Sequence, residues 1–356
     1  MGEAFLHGHG GMAFHSISAT LPLNIYLAGD SSNNGHAVIT ARIGNDTVRI
    51  YPSECVFSPA VVSAGMTSIT ISKTIQGVTR SCSVPVTVYP ISSVFGNNSW
   101  ASIAAAAYLG RACDLWQAGD EKTETIDGTE HTFRILGFNH NDLAEDDEMY
   151  SDPYYNKGRG KAAIALQFKT VAGTGVMNDT EMKTAGEVWN VCKMRTETLP
   201  ALYAMFPTAL KNIVRLVDVV YWASCNTKSS EYLVVAAITQ DRLTLIDSFF
   251  EPTSYLYFLH HIGDATEYRN YIDEVIVNYG DKINGYELFA ENGYIGITDP
   301  RDPLPEWARG FGASSEFYQH GYRAGTLGPG PEDHPSYRAG SEYPTTNKKY
   351  RPVFNI

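Results

Sequence analysis

Charge is scarce in this chain. Only 19% of its residues are charged, 27 Lys and Arg against 39 Asp and Glu, for a formal net charge of −12. A field of that sign repels phosphate backbones, so no nucleic acid partner is expected. Cysteine is scarce as well. Cys55, Cys82, Cys113, Cys192 and Cys225 are scattered, form no CxxC and leave one over from any pairing. That pattern fits neither a disulfide framework nor a zinc site, and it suits isolated thiols in a reducing cytoplasm. Long apolar runs are missing: Asn212–Cys225 is interrupted by Arg215 and Asp218, and Tyr232–Ile238 is short. Neither reaches the ~20 residues a membrane helix needs, so no membrane insertion is expected. The opening Met1–His7 has no basic and apolar leader pattern, so a protein of this kind acting outside a cell is expected to leave by another route.

Catalytic signatures are also lacking. The chain holds no Gly-x-Ser-x-Gly elbow and no His-Glu-x-x-His, and Gly158-Arg159-Gly160-Lys161 has neither the spacing nor the following Ser/Thr of a phosphate loop. His260-His261 near Asp264 follows the apolar Tyr255–Leu259 and reads as the close of a core segment. The acidic run Asp142, Glu145, Asp146, Asp147 and Glu148 matches no EF-hand loop and reads as a solvated loop. No metal or cofactor is expected.

What the chain does have is apolar mass and tyrosine. At 356 residues and 44% hydrophobic, it is long enough for two or three domains. Its 22 Tyr outnumber 15 Phe and 5 Trp, and Tyr combines contact area with a hydrogen-bonding hydroxyl.

The Gly/His tract with His7, His9 and His15 reads as a flexible arm over residues 1–18, since nothing there fixes a coordination geometry. From 19 to 90 apolar residues alternate: Ala37, Ile39, Ala41; Val48, Ile50; Ile69, Ile71; Cys82, Val84, Val86, Val88. Turn signals at Gly29-Asp30, Gly44-Asn45-Asp46, Ser63-Ala64-Gly65 and Gln76-Gly77 separate them, which predicts a small β-sandwich. The run from Gly65 through Val88 resembles bacterial immunoglobulin-like domains of phage and bacterial surface proteins.

Residues 91–98 form a Ser/Gly/Asn linker. Ser99 then caps a helix running to Tyr108, with Gly110 as its stop, and Asp127-Gly128 marks a hairpin leading into a strand at Phe133–Phe138. Trp189, Met194, Leu199, Leu202 and Ile213, with Met205 and Phe206 at helical spacing from Leu202, read as core. Leu243, Leu245 and Ile246 read as a buried strand entered by a turn at Asp241-Arg242.

Several blocks of residues 97–356 resemble, in order, an uncharacterised domain family of phages and prophages of Gram-positive gut bacteria. They are Ser99–Ile103, Trp116–Lys122, Ile135–His140, Lys161–Leu166, Val188–Thr196, Leu199–Leu202 and Arg351–Ile356. The resemblance implies a C-type-lectin-like α+β fold whose long irregular loop, here Glu306–Lys349, is displayed for ligand binding. Relatives carry Trp-x-Arg-Ser in that loop, and this chain has Trp307-Ala308-Arg309-Gly310. A lectin-type calcium site would need a Pro between side-chain oxygens and a later Asn-Asp pair. Glu251-Pro252-Thr253 only loosely matches the first.

The expected architecture is therefore multidomain: an arm at 1–18, an all-β immunoglobulin-like sandwich at 19–90, a linker at 91–98, and an α+β C-type-lectin-like domain at 99–356. The Tyr/Arg/Gly-rich stretch between Phe311 and Tyr350, with no period, has the composition of a recognition surface. Trp307, Arg309, Tyr318, Tyr322, Arg323 and Tyr337 are its candidate ligand-binding residues. The expected function is that of a non-enzymatic bacteriophage virion structural protein, a tail fibre, tail-tip or capsid-decoration component. It would be assembled in the host cytoplasm, serve host attachment through a surface glycan or protein, and form a homo-oligomer, with a trimer as one option. Its arm or immunoglobulin-like domain would contact other virion proteins. A purely structural cementing protein is the alternative, and a carbohydrate-active enzyme a more distant one.

Overall fold

A computed structural model of the chain describes residues 13–179, 189–220, 238–245 and 347–356, together with the backbone of 221–224, 234–237, 306–312, 323–328 and 338–342. The described chain is mostly β-strand in several sheets with a few short helices. It divides into two compact units, Met1–Ser93 with Asn98–Leu109, and Val94–Asn97 with Gly110–Ile356.

The first unit holds β1 (Phe14–Thr20), β2 (Ile25–Leu27), β3 (Val38–Ile43), β4 (Asp46–Ile50), β5 (Val56–Ser58), β6 (Ser68–Ile75), β7 (Val78–Pro85) and β8 (Thr87–Tyr89). Two antiparallel sheets, ordered β1-β3-β4 and β5-β6-β7, and a parallel pair, β2-β8, share one apolar core. The core is the alternation made physical. Ile39, Ala41 and Ile43 of β3 and Ile69 and Ile71 of β6 are buried while the residues between them face outward or are only partly covered. The turns follow the sequence: Gln76 and Gly77 take φ of 50° and 79° between β6 and β7, the two positive values of a type I′ hairpin.

The arm expected over 1–18 does not reach residue 18. Phe14–Ser18 belong to β1, where Phe14 and Ile17 are buried. A bulge between Phe14 and Ser16 places two β1 residues against one step of β3. The two apolar residues thus stand three apart and give no period-two signal.

Helix α1 (Trp100–Tyr108) packs on β2 and β8 and so groups with the first unit, one boundary later than the sequence suggests. Ser99 caps it, its Oγ accepting from the Ser102 amide at 3.1 Å, and Ile103, Ala106 and Ala107 are fully buried.

The second unit contains α2 (Ala112–Leu115), β9 (Glu121–Ile126), β10 (Thr129–Phe138), β11 (Ile164–Phe168), β12 (Gly173–Gly175), a π-helical turn (Met194–Thr198), α3 (Leu199–Ala204), α4 (Thr208–Lys211), β13 (Val217–Ser224), β14 (Val234–Asp241) and β15 (Leu243–Thr244). Beyond these come β16 (Glu306–Gly312), β17 (Arg323–Gly328), β18 (Arg338–Glu342), β19 (Lys348–Tyr350) and β20 (Val353–Asn355). One five-stranded sheet is ordered β15-β20-β11-β10-β9, and β13 pairs with β14. Asp127 and Gly128, at φ 49° and 78°, close the β9–β10 hairpin. The core is aromatic: Phe133 meets Phe168 and Phe354 edge-on at centroid distances of 4.7 and 5.1 Å, and Phe206 covers Phe354 at 5.6 Å.

Trp189, Met194, Leu199, Leu202 and Phe206 are buried as expected, and Leu243 and Leu245 with them. Ile213 is only partly covered. Met205 is 45% exposed, because α3 ends at Ala204 and the helical period stops there. Ile246 lies outside the described residues. Among the described residues no helix is long and apolar enough to cross a membrane.

Candidate functional site

The stretch from Glu306 to Lys349 contains strands where the sequence suggests one long irregular loop. β16, β17 and β18 form an antiparallel meander, and β19 and β12 continue the sheet on the other side of β16. The strands carry Gly310, Gly312, Gly325, Gly328 and Gly340 among Ala, Thr and Ser, so no apolar alternation announces them.

Three of the six candidate ligand-binding residues fall on this meander. Trp307 pairs with Thr326, and Arg323, at the start of β17, pairs with Gly312. Between the pairs Trp307–Thr326 and Phe311–Ala324, β16 advances four residues and β17 two. Arg309 therefore lies in a bulge, where the β16–β17 pairing is interrupted. Tyr318 and Tyr322, between β16 and β17, and Tyr337, just before β18, lie outside the described residues.

The opposite end of the sheet is anchored by Tyr350 of β19. Its ring packs on the β12 backbone, where a Cβ at Gly173 would stand 2.8 Å from the Tyr350 hydroxyl, so any larger residue there has to displace the ring. Burial raises the Tyr350 phenol above its usual range.

Carboxylates that the sequence places in loops are structural. Asp147 of the acidic run is buried: Oδ2 accepts from the Leu216 amide, and Oδ1 from the Met149 amide at 2.9 Å and Arg215 Nη1 at 3.5 Å. Glu148 takes the other Arg215 contact at 2.8 Å, and Asp142 pairs with Lys161 at 2.9 Å. The solvated-loop reading thus fails for Asp147, which is buried, while Asp142 is half-buried and Glu148 keeps most of its side chain in solvent. Lys161, from the Gly158–Lys161 tract, also donates to the His140 carbonyl at 3.2 Å. Asp241, read as a turn, is the buried end of β14. No group of three or more His, Cys, Asp or Glu suited to a metal occurs among the described residues. His260, His261, Asp264 and Glu251-Pro252-Thr253 lie outside them.

A shallow cleft of about 310 Å³ opens beside α3 and α4, lined by Glu148, Tyr203, Lys211, Asn212, Arg215 and Arg242. Tyr203 organises it: its hydroxyl donates to the Lys211 carbonyl at 3.0 Å, and the Arg242 guanidinium lies 5.9 Å from its ring centroid. Arg242 Nη1 is tied to the Val214 carbonyl at 2.7 Å, and Lys211 Nζ to the Ala204 carbonyl at the end of α3, also at 2.7 Å. Sequence reasoning does not reach this group. Its one visible signal is the placement of cations beside apolar segments in an acidic chain.

No family model, curated protein or solved structure matches this chain.

Proposed function

We propose that the chain is a non-enzymatic surface protein of a bacteriophage particle, with an immunoglobulin-like first unit and a C-type-lectin-like second unit that recognises a glycan or protein on the host cell. The observation that carries this reading is the β16–β18 meander. It fixes Trp307, Arg309 and Arg323 on paired strands and brackets the segments 313–322 and 329–337, which hold Tyr318, Tyr322 and Tyr337. Strands that hold short Tyr-, Arg- and Gly-rich connections supply a rigid frame under adaptable contacts, the arrangement that keeps the entropy cost of binding low. The shared core of the two sheets in the first unit agrees with the sandwich resemblance.

Antibody labelling of intact particles in the electron microscope tests the location, and a glycan array probed with the full chain tests the ligand. Labelling at the particle surface with binding to a restricted set of glycans or to host cells is expected. Labelling without any cell or glycan binding identifies a cementing protein, and release of product from host polysaccharide would make the protein an enzyme.

A further inference from the structure

We propose that the cleft beside α3 and α4 is a binding site for an oxyanion, a carboxylate or phosphate group, presented by a ligand of about monosaccharide size. This inference does not rest on the recognition reading, since the cleft takes none of its residues from the meander.

Charge points to the ligand. Three cations line the cleft against one carboxylate. Arg215 is spoken for: Glu148 and Asp147 neutralise it, and its Nε and Nη2 donate to the Ile213 and Asn212 carbonyls at 3.0 and 2.9 Å. Lys211 and Arg242 are different. Neither makes an ion pair among the described residues, and each spends one nitrogen contact on a backbone carbonyl. Arg242 Nε and Nη2 and the remaining Lys211 ammonium protons have no acceptor among the described residues. The Asn212 side-chain amide makes no hydrogen bond there either.

The geometry is also prepared in advance. The carbonyl of Val214 and the ring of Tyr203 hold the Arg242 guanidinium, and the Ala204 carbonyl holds the ammonium of Lys211, so ordering these long side chains is largely complete before a ligand arrives. A guanidinium with a free edge presents the fork that matches two oxygens of one carboxylate or phosphate, and the ammonium adds a point charge. In a chain of net charge −12, this local concentration of donors selects for an anionic group and against a neutral one.

Isothermal titration of the full chain at low salt with D-glucuronate, glycerol 3-phosphate, inorganic phosphate and, as neutral control, D-glucose tests the site. At least one anionic probe is expected to bind about tenfold or more tighter than glucose, with weaker binding as salt rises. The preferred probe tells carboxylate from phosphate. Arg242→Gln and Lys211→Gln each lower the affinity about tenfold while the thermal midpoint stays unchanged. Should Arg242→Gln disturb folding, Lys211→Gln decides alone. Absence of anion binding, or anion binding that persists in the variants, overturns the proposal; host-cell binding would be unaffected by that result.

Discussion

The indole Nε1 of Trp189 donates to Asp241 Oδ2 at 3.1 Å, and Arg195 Nε donates to the other oxygen of the same carboxylate at 2.7 Å. Thr239 Oγ1 adds a third bond at 2.7 Å. One buried carboxylate thereby ties the segment 189–198 to the end of β14. Its position explains why a fully buried Trp and an Arg four residues before the α3 start can share one environment. Asp241→Ala leaves the Trp189 N–H without its acceptor and the Arg195 charge with only the Asn190 and Gln240 carbonyls, and is expected to cost about 2–4 kcal/mol in urea unfolding. Asp241→Asn, which keeps an acceptor for the indole, costs less.

Phe354 stands among Phe133, Phe168 and Phe206. Phe354→Ala opens a cavity in a sheet strand whose neighbours on both sides are fixed by pairing, so little collapse is available. The expected loss is about 3–5 kcal/mol, measured by denaturant titration, with Phe354→Leu losing less than half of that.

His131 is buried against Phe168, ring centroids 5.3 Å apart, and burial lowers its pKa. The fold therefore prefers the neutral imidazole. The stabilisation is complete above the unfolded value of about 6.5 and is lost as pH falls from there through the lowered folded value. His131→Phe should flatten this part of the stability profile. Unfolding midpoints of both proteins between about pH 7.5 and 5 give the difference directly.

Cys192 is fully buried and burial pushes its thiol up to about 11, whereas Cys113 is exposed. Alkylation of the native protein is expected to label Cys113 and spare Cys192 until urea unfolds the second unit, as read by peptide mass spectrometry.

Much of the first unit is legible in the sequence, because one face of each strand is buried and period two survives: Ile39 and Ala41, Ile69 and Ile71, Val84, Val86 and Val88 all reach the core. Short-range chemistry is legible as well, in the Ser99 cap and the Asp127-Gly128 and Gln76-Gly77 hairpins. β1 escapes because its bulge sets Phe14 and Ile17 three apart. The β16–β18 meander escapes because glycine and alanine stand where apolar side chains would mark a strand. Asp147 and Asp241 look like loop acids because their partners, Arg215 and Trp189, are distant in sequence and only the fold brings them together. Of the stretch proposed for recognition, the sequence shows the Tyr/Arg/Gly composition but not the strands that run through it. The cations of the cleft carry no motif at all.

Equilibrium binding of the labelled full chain to a panel of Gram-positive gut bacteria, wild type against a Tyr318→Ala, Tyr322→Ala double variant, tests the recognition role most directly. Saturable binding to a restricted set of strains, reduced about tenfold or more in a double variant of unchanged thermal midpoint, is the expected result. Wild-type protein that binds no strain, or a double variant that binds as the wild type does, would contradict it.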